Sequence, residues 1–286
     1  MGRGMGFDFG HEPNAQTRAA RKVMFDLPAL DAELSGTLFA GKLHFVRVTG
    51  STNADAVAAA RDGAPHGSVF FADEQTAGRG RGDHGWVSAA GEGLYVSVLF
   101  RPQIPVSHLP LLPLGAGLAA AEAIRAVSGL SVDLRWPNDL LIGPRKTGGI
   151  LVEANLQTKG LLHAMAVAVV GIGINAHQRA FPPGLATPAT SIDLEAGRII
   201  SRQTLLVALL KSLEREASAL ADEAAAKEIP ARVEQASTWI RDRKVEVHGP
   251  QACSGVTAGL DEHGFLRVAT ADGFVTVQTG GLRAKD

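Results

Sequence analysis

Two arginines set among four glycines, in "AGRGRGDHGW" from Ala77 to Trp86, offer the first chemistry in this sequence. A guanidinium is a planar fork of donors matched to carboxylate and phosphate oxygens. Arg79 and Arg81 could therefore meet an anion from one loop, and Gly78, Gly80, Gly82 and Gly85 would let that loop rearrange around it. A solvated hairpin loop is the plainer reading of the same letters. A third cation, Lys146, stands in "RKTGGILVE" (Arg145–Glu153) ahead of Gly148 and Gly149, where the backbone could approach a ligand closely. It also reads as a surface lysine beside Arg145. "RWPNDLL" (Arg135–Leu141) sets an amide, Asn138, beside a carboxylate, Asp139. "GSTN" (Gly50–Asn53) sets two hydroxyls and an amide where a strand gives way to a helix, so Ser51 also suits a helix cap.

Other chemistries fall away. Lys146-Thr147 lacks the glycine that precedes the lysine of a phosphate-binding P-loop. "GIGINA" (Gly171–Ala176) matches a dinucleotide fingerprint, but Pro182-Pro183 follow where the fingerprint needs a helix, so no NAD site is expected. These glycines instead suggest a turn where backbone comes near some ligand. One cysteine and nine histidines without metal spacing argue against zinc.

The elements that must position these groups are legible. "KLHFVRV", "GSVFFADEQ", "LYVSVLFRP", "KTGGILVEAN" and "LLHAMAVAVVGIGIN" read as strands, and "VDLRWPNDLLI" as a strand carrying a Pro-Asn turn. "ADAVAAARDGA", "LPLGAGLAAAEAIRAVSG" ending at Gly129, and "SRQTLLVALLKSLEREASAL" capped by Ser201 read as helices. Beyond about Asp242 short strands alternate with Gly and Asp turns, the texture of a small barrel or sandwich. A net charge of −1 gives no basic surface for nucleic acid, and the single cysteine, Cys253, fits a reducing cytoplasm. No leader peptide is legible, and the longest apolar runs are short or broken by proline, so a soluble protein without a membrane partner is expected.

Taken together and in order, "GSTN", "EQTAGRGRGDHGW" (Glu74–Trp86), "RWPNDLL" with "RKTGGILVE", and "GIGIN" (Gly171–Asn175) resemble the biotin protein ligases from about residue 43 onward. The resemblance implies an α+β fold. Its catalytic domain would be similar to class II aminoacyl-tRNA synthetases, with a mixed, mainly antiparallel sheet flanked by helices. A small C-terminal SH3-like β-barrel would follow. Residues 1–40 would form an extension of unknown role, 41–241 the catalytic domain and 242–286 the barrel. The implied reaction joins biotin and MgATP into biotinyl-5′-adenylate and pyrophosphate, then passes biotin to a lysine of a biotin carboxyl carrier domain.

The resemblance also implies roles. Lys146, Arg79 and Arg81 would neutralise the two reacting anions, and the Gly/Arg loop would close over the adenylate. Ser51, Thr52, Asn53, Gln75 and Gly78 would face biotin, with Gly148 and Gly149 behind it. Trp86 would pack on the adenine or biotin side, or anchor the loop as a core aromatic. Asn138 and Asn175 would lie on the ATP side, and Asp139 would hold Mg²⁺; Asp139 and Asn175 also read as turn residues. His84, after Asp83, stands where the family commonly has arginine, while Arg135 keeps the charge of a common lysine. No DNA-binding module is legible, which resembles the monofunctional type. A homodimer is open by resemblance. A lipoate–protein ligase and a non-catalytic biotin sensor are the alternatives.

Overall fold

A computed structural model describes residues 24–82, 84–101, 104–158 and 164–285. Residues 1–23 and Asp83, both named above, lie outside the described residues.

The main sheet holds seven strands: β1 (Leu43–Thr49), β2 (Ser68–Gln75), β3 (Gly93–Phe100), β4 (Asp133–Arg135), β5 (Asp139–Ile142), β6 (Arg145–Thr158) and β7 (Ala164–Asn175). Their order is β1-β2-β3-β7-β6-β5-β4. Only β1 and β2 run parallel, joined through helix α2 (Thr52–Arg61); every other neighbouring pair is antiparallel. β3 is buried at all eight positions, as a strand covered on both faces must be. The expected Pro-Asn turn is the corner between β4 and β5, where the Trp136–Pro137 peptide is cis.

Helix α3 (Leu112–Ser128) ends on Gly129, whose φ of 79° is the left-handed cap that glycine adopts without strain. It packs against α5 (Arg202–Ala221), whose cap is Ser201: Thr204 N–H donates to its Oγ at 3.2 Å. With the preceding turn, Val106–Ser128 has the length and hydropathy of a membrane-crossing helix, and just over half of it is buried inside this fold. Between these elements lies the short helix α4 (Ile192–Ala196). Helix α6 (Glu223–Gln235) escaped the sequence reading because Pro230 sits inside it, where a missing N–H normally marks a helix end.

Residues 24–40 are part of this core. Helix α1 (Leu27–Glu33) buries Leu30, while Phe25, Leu34 and Phe39 pack into the same cluster. Phe25 meets Phe71 of β2 edge-on at 5.0 Å. Residues 24–40 thus pack with the main sheet.

A second sheet follows, with β8 (Arg241–His248), β9 (Cys253–Leu260), β10 (Leu266–Thr270), β11 (Gly273–Val277) and β12 (Gly281–Ala284) in the order β11-β10-β9-β8-β12, all antiparallel. Its inner residues Val245, Val247, Leu266, Val268, Val277 and Leu282 join the main core. Trp136 Nε1 donates to Gly264 O at 3.0 Å, docking this sheet against the β4–β5 corner.

Candidate active site

A cleft of about 710 Å³ opens over the main sheet, walled by the segment after β7 and by the C-terminal sheet. Its floor is β6 and β7, where glycines leave room that other parts of the chain fill. A Cβ at Gly171 would collide with Asn53 Oδ1. One at Gly173 would stand 2.6 Å from Trp86 Nε1. The turn expected at "GIGIN" is thus continuous strand, paired on both sides as far as Ile174, and the close approach is made by the protein's own side chains. Trp86 Nε1 is buried with no hydrogen-bond partner, a donor the protein leaves unused.

One end of the cleft is polar and neutral. Ser51, Thr52 and Asn53, all buried, begin α2. Ser51 holds the cap position, yet its hydroxyl makes no capping bond. Gln75 Oε1 serves instead, accepting from Thr52 N–H at 2.9 Å and from Thr52 Oγ1 at 3.1 Å. Gln75 Nε2 donates to Ser88 Oγ at 2.8 Å. Alternating donors and acceptors of this kind suit a small ring that carries both.

The other end is cationic. Lys146 Nζ stands 2.5 Å from Asp139 Oδ1 and 5.5 Å from the Trp86 ring centroid. Arg135 donates to Asp139 Oδ2 through Nε at 3.1 Å and through its terminal nitrogen at 2.6 Å. Burial alone would raise the Asp139 carboxyl, but Lys146 and Arg135 outweigh it and hold the group below its ordinary range. Arg81 donates to Gly280 O at 2.8 Å, to Thr279 Oγ1 at 2.9 Å and to Asn138 Oδ1 at 3.3 Å. Burial lowers its pKa, with Asp139 pulling the other way.

Both oxygens of Asp139, the residue expected to hold Mg²⁺, are paired with cations, Oδ1 with Lys146 and Oδ2 with Arg135. Among the described residues no three His, Cys, Asp or Glu side chains form a metal set. Gly78 and Gly148 do not line the cleft. The space a side chain would need at Gly78 is held by Trp86 O and Ser88 Oγ, and at Gly148 by Leu140 Cδ1 at 2.8 Å. Asn175 does line it, but its Nδ2 donates to Thr190 O at 3.0 Å and so ties down the segment after β7. The remaining expected residues, Ser51, Thr52, Asn53, Gln75, Arg79, Arg81, Trp86, Asn138, Lys146 and Gly149, meet in this one cleft. His84 joins them at the loop tip, where Gly80 N–H donates to its carbonyl at 2.7 Å.

Sequence reading missed the walls. Gln178 and the stretch from Ala180 to Ala189 form one of them, and Lys146 N–H donates to Pro188 O at 2.8 Å. His248 and Thr279–Arg283 form another. Nothing in their residue types advertises a site.

The model of the biotin/lipoate A/B protein ligase family matches residues 46–175 and so covers the strands that floor this cleft. A bifunctional ligase/repressor BirA of Bacillus spizizenii is 38% identical over 170 residues, 59% of this chain, and the matched part spans about half (51%) of that relative's length. A biotin–[acetyl-CoA-carboxylase] ligase of Mycobacterium tuberculosis is 34% identical over 253 residues, covering 84% of this chain and 88% of that one. Among solved structures, the biotin protein ligase from Aquifex aeolicus in complex with biotin and ATP superposes with a TM-score of 0.74 at 28% identity, over 86% of this chain and all of that one. A shared sequence across nearly nine-tenths of the mycobacterial enzyme, and a shared fold across both sheets, place this chain in the biotin protein ligase family.

Proposed function

We propose that the protein is an ATP-dependent biotin–[acetyl-CoA-carboxylase] ligase. The observation that carries this is the polarity of the cleft: a neutral cradle of donors and acceptors at Ser51–Asn53 and Gln75, facing a cationic end at Lys146, Arg135 and Arg81. A bicyclic urea with a carboxylate tail matches that sequence of chemistry from end to end.

The carboxylate and the ATP α-phosphate repel one another, and bringing them together requires fixed positive charge. Lys146 supplies it, held between Asp139 and the Trp86 face so that its ammonium does not need to be ordered during reaction. A biotin carboxylate oxygen attacks the α-phosphorus and pyrophosphate leaves. Arg79 and Arg81, on the Gly/Arg loop, then cover a mixed anhydride that water would destroy. In the second step a carrier lysine, as its free amine, attacks the biotinyl carbonyl carbon. AMP departs with the bonding electrons and the amine loses a proton. Magnesium, when bound with the nucleotide, would supply further neutralisation of its phosphate charge. The carrier domain of acetyl-CoA carboxylase is the acceptor in this reading, and the cytoplasm is where both would meet.

Biotin-dependent ATP–pyrophosphate exchange by the purified protein, with lipoate run in parallel, tests the reading. Exchange with biotin alone is expected. Exchange with lipoate instead, or tight biotin binding without exchange, would overturn it.

A further inference from the structure

One hydrogen-bonded path leaves the Gly/Arg loop on its first arm and returns on its second. Arg79 donates to Glu153 Oε2 at 2.8 Å, and the same oxygen accepts from Asn53 Nδ2 at 2.9 Å. Asn53 Oδ1 accepts from Ser97 Oγ at 2.6 Å, and Ser97 Oγ lies 2.8 Å from Thr52 Oγ1. Thr52 donates to Gln75 Oε1, Gln75 Nε2 to Ser88 Oγ, and Ser88 Oγ to Trp86 O at 3.1 Å. The floor of the proposed biotin pocket is therefore wired to both ends of the lid.

Counting hydrogens fixes the direction of each link. Ser97 has one hydrogen and gives it to Asn53, so the Asn53 amide must turn its NH₂ toward Glu153. Ser88 gives its hydrogen to Trp86 O, so Gln75 must present NH₂ to Ser88 and its carbonyl to Thr52. One hydrogen stays uncommitted: the Thr52 hydroxyl reaches two acceptors, Ser97 Oγ and Gln75 Oε1, and can serve only one. The Thr52 hydroxyl is therefore the one donor in the path whose partner the others do not fix.

Resting on the ligase reading, we propose that Glu153 is a positioning residue: it locks Arg79 to Asn53, so that filling the ring pocket sets the first arm of the lid. Stability does not account for the ion pair. Its side chains are 46% and 34% exposed, and pairs so open to water add little to folding. Nor is Glu153 among the residues that line the cleft.

The test is a double-mutant cycle with Glu153→Gln and Arg79→Gln in the full chain. Glutamine keeps the length of Glu153 and an acceptor for Asn53 while removing the charge that holds Arg79. Glu153→Gln should raise KM for biotin more than it lowers kcat in pyrophosphate exchange, and should speed loss of preformed adenylate, by about tenfold for a coupling of this class. The melting temperature should stay at the wild-type value. In the Arg79→Gln background the same change should add almost nothing, and Arg79→Lys should restore part of the retention. Effects that multiply independently, or a fall in melting temperature that parallels the lost activity, would overturn the proposal. A second readout needs no catalysis: trypsin should cut after Arg79 several-fold faster in Glu153→Gln than in the ligand-free wild type, and an unchanged rate would also overturn it. Wild-type protein that shows no biotin-dependent exchange would remove the ligase reading alone, with the tryptic rate still deciding the role of Glu153.

Discussion

The ammonium of Lys146 and the carboxylate of Asp139 lie 2.5 Å apart across the β5–β6 pair, and Arg135 grips the far oxygen of the same carboxylate. The lysine that would bridge two anions is thus held by an anion before they arrive.

Lys146→Ala should lower kcat for adenylate formation by about 10²–10³, the usual cost of a lost preorganised charge. Biotin should still bind, since the cradle at Thr52 and Gln75 is untouched. Asp139→Asn should fall between this variant and wild type. Single-turnover adenylation beside equilibrium biotin binding checks both. A near-normal rate in Lys146→Ala would remove the lysine from the central step.

Arg81→Ala should let the adenylate escape. The side chain makes three donor contacts that tie the lid to Asn138, Thr279 and Gly280. Losing charge-assisted bonds of about 1.5–3 kcal/mol each should speed release by at least about tenfold. Dissociation of preformed adenylate, and biotin appearing on bystander lysines, measure this. Thr279→Val should show a smaller change in the same direction.

Gly171→Ala should damage the ring pocket without touching a ligand. Its methyl would occupy the place of Asn53 Oδ1, and either the amide or β7 must shift. Overpacking of this kind costs about 1–3 kcal/mol. KM for biotin should rise and the melting temperature should fall together, readable by exchange kinetics and calorimetry.

His66 should make folding stability depend on mild acid. Burial lowers its pKa below the ordinary 6.5, with Lys42 and Arg101 adding to the effect. Its Nδ1 accepts from Arg101 N–H at 2.9 Å, which only the unprotonated nitrogen can do. The unfolded chain therefore binds the proton more readily. The contribution is complete above pH 6.5 and is lost as pH falls from there toward the folded value. His66→Asn, which offers a neutral acceptor, should flatten that slope in urea titrations between about pH 7 and 5. An unchanged slope would place the sensitivity elsewhere.

What was legible in the sequence was what is local. Ser51–Asn53, Gln75, Arg79, Arg81 and Lys146 could be named because each stands in a short string whose glycines, hydroxyls and cations carry their own chemistry. The strands and the long helices followed from apolar periodicity. Glu153 and Ser97 could not be found, because their partner Asn53 lies 100 and 44 residues away. What packs on Gly78 and Gly148 was not legible, since a glycine next to a site looks the same in sequence whether it faces ligand or packing. The double pairing of Asp139 was not legible, because the β5–β6 pairing brings Lys146 onto it. Helix α6 was hidden by one proline, although Ala225 N–H donates to its Asp222 cap at 2.8 Å as in any ordinary helix start.

The walls of the cleft come from nearly the whole length of the described chain, from Ser51 to Arg283. A growing polypeptide therefore carries its Gly/Arg loop, its lysine and its ring pocket long before Thr279 and Gly280 exist to receive Arg81. Until then Arg81 lacks two of its three hydrogen-bond partners. Only when the chain as far as Arg283 has emerged and paired β12 with β8 is the chamber complete. The partners of Arg81 are thus among the last residues of the cleft to be made.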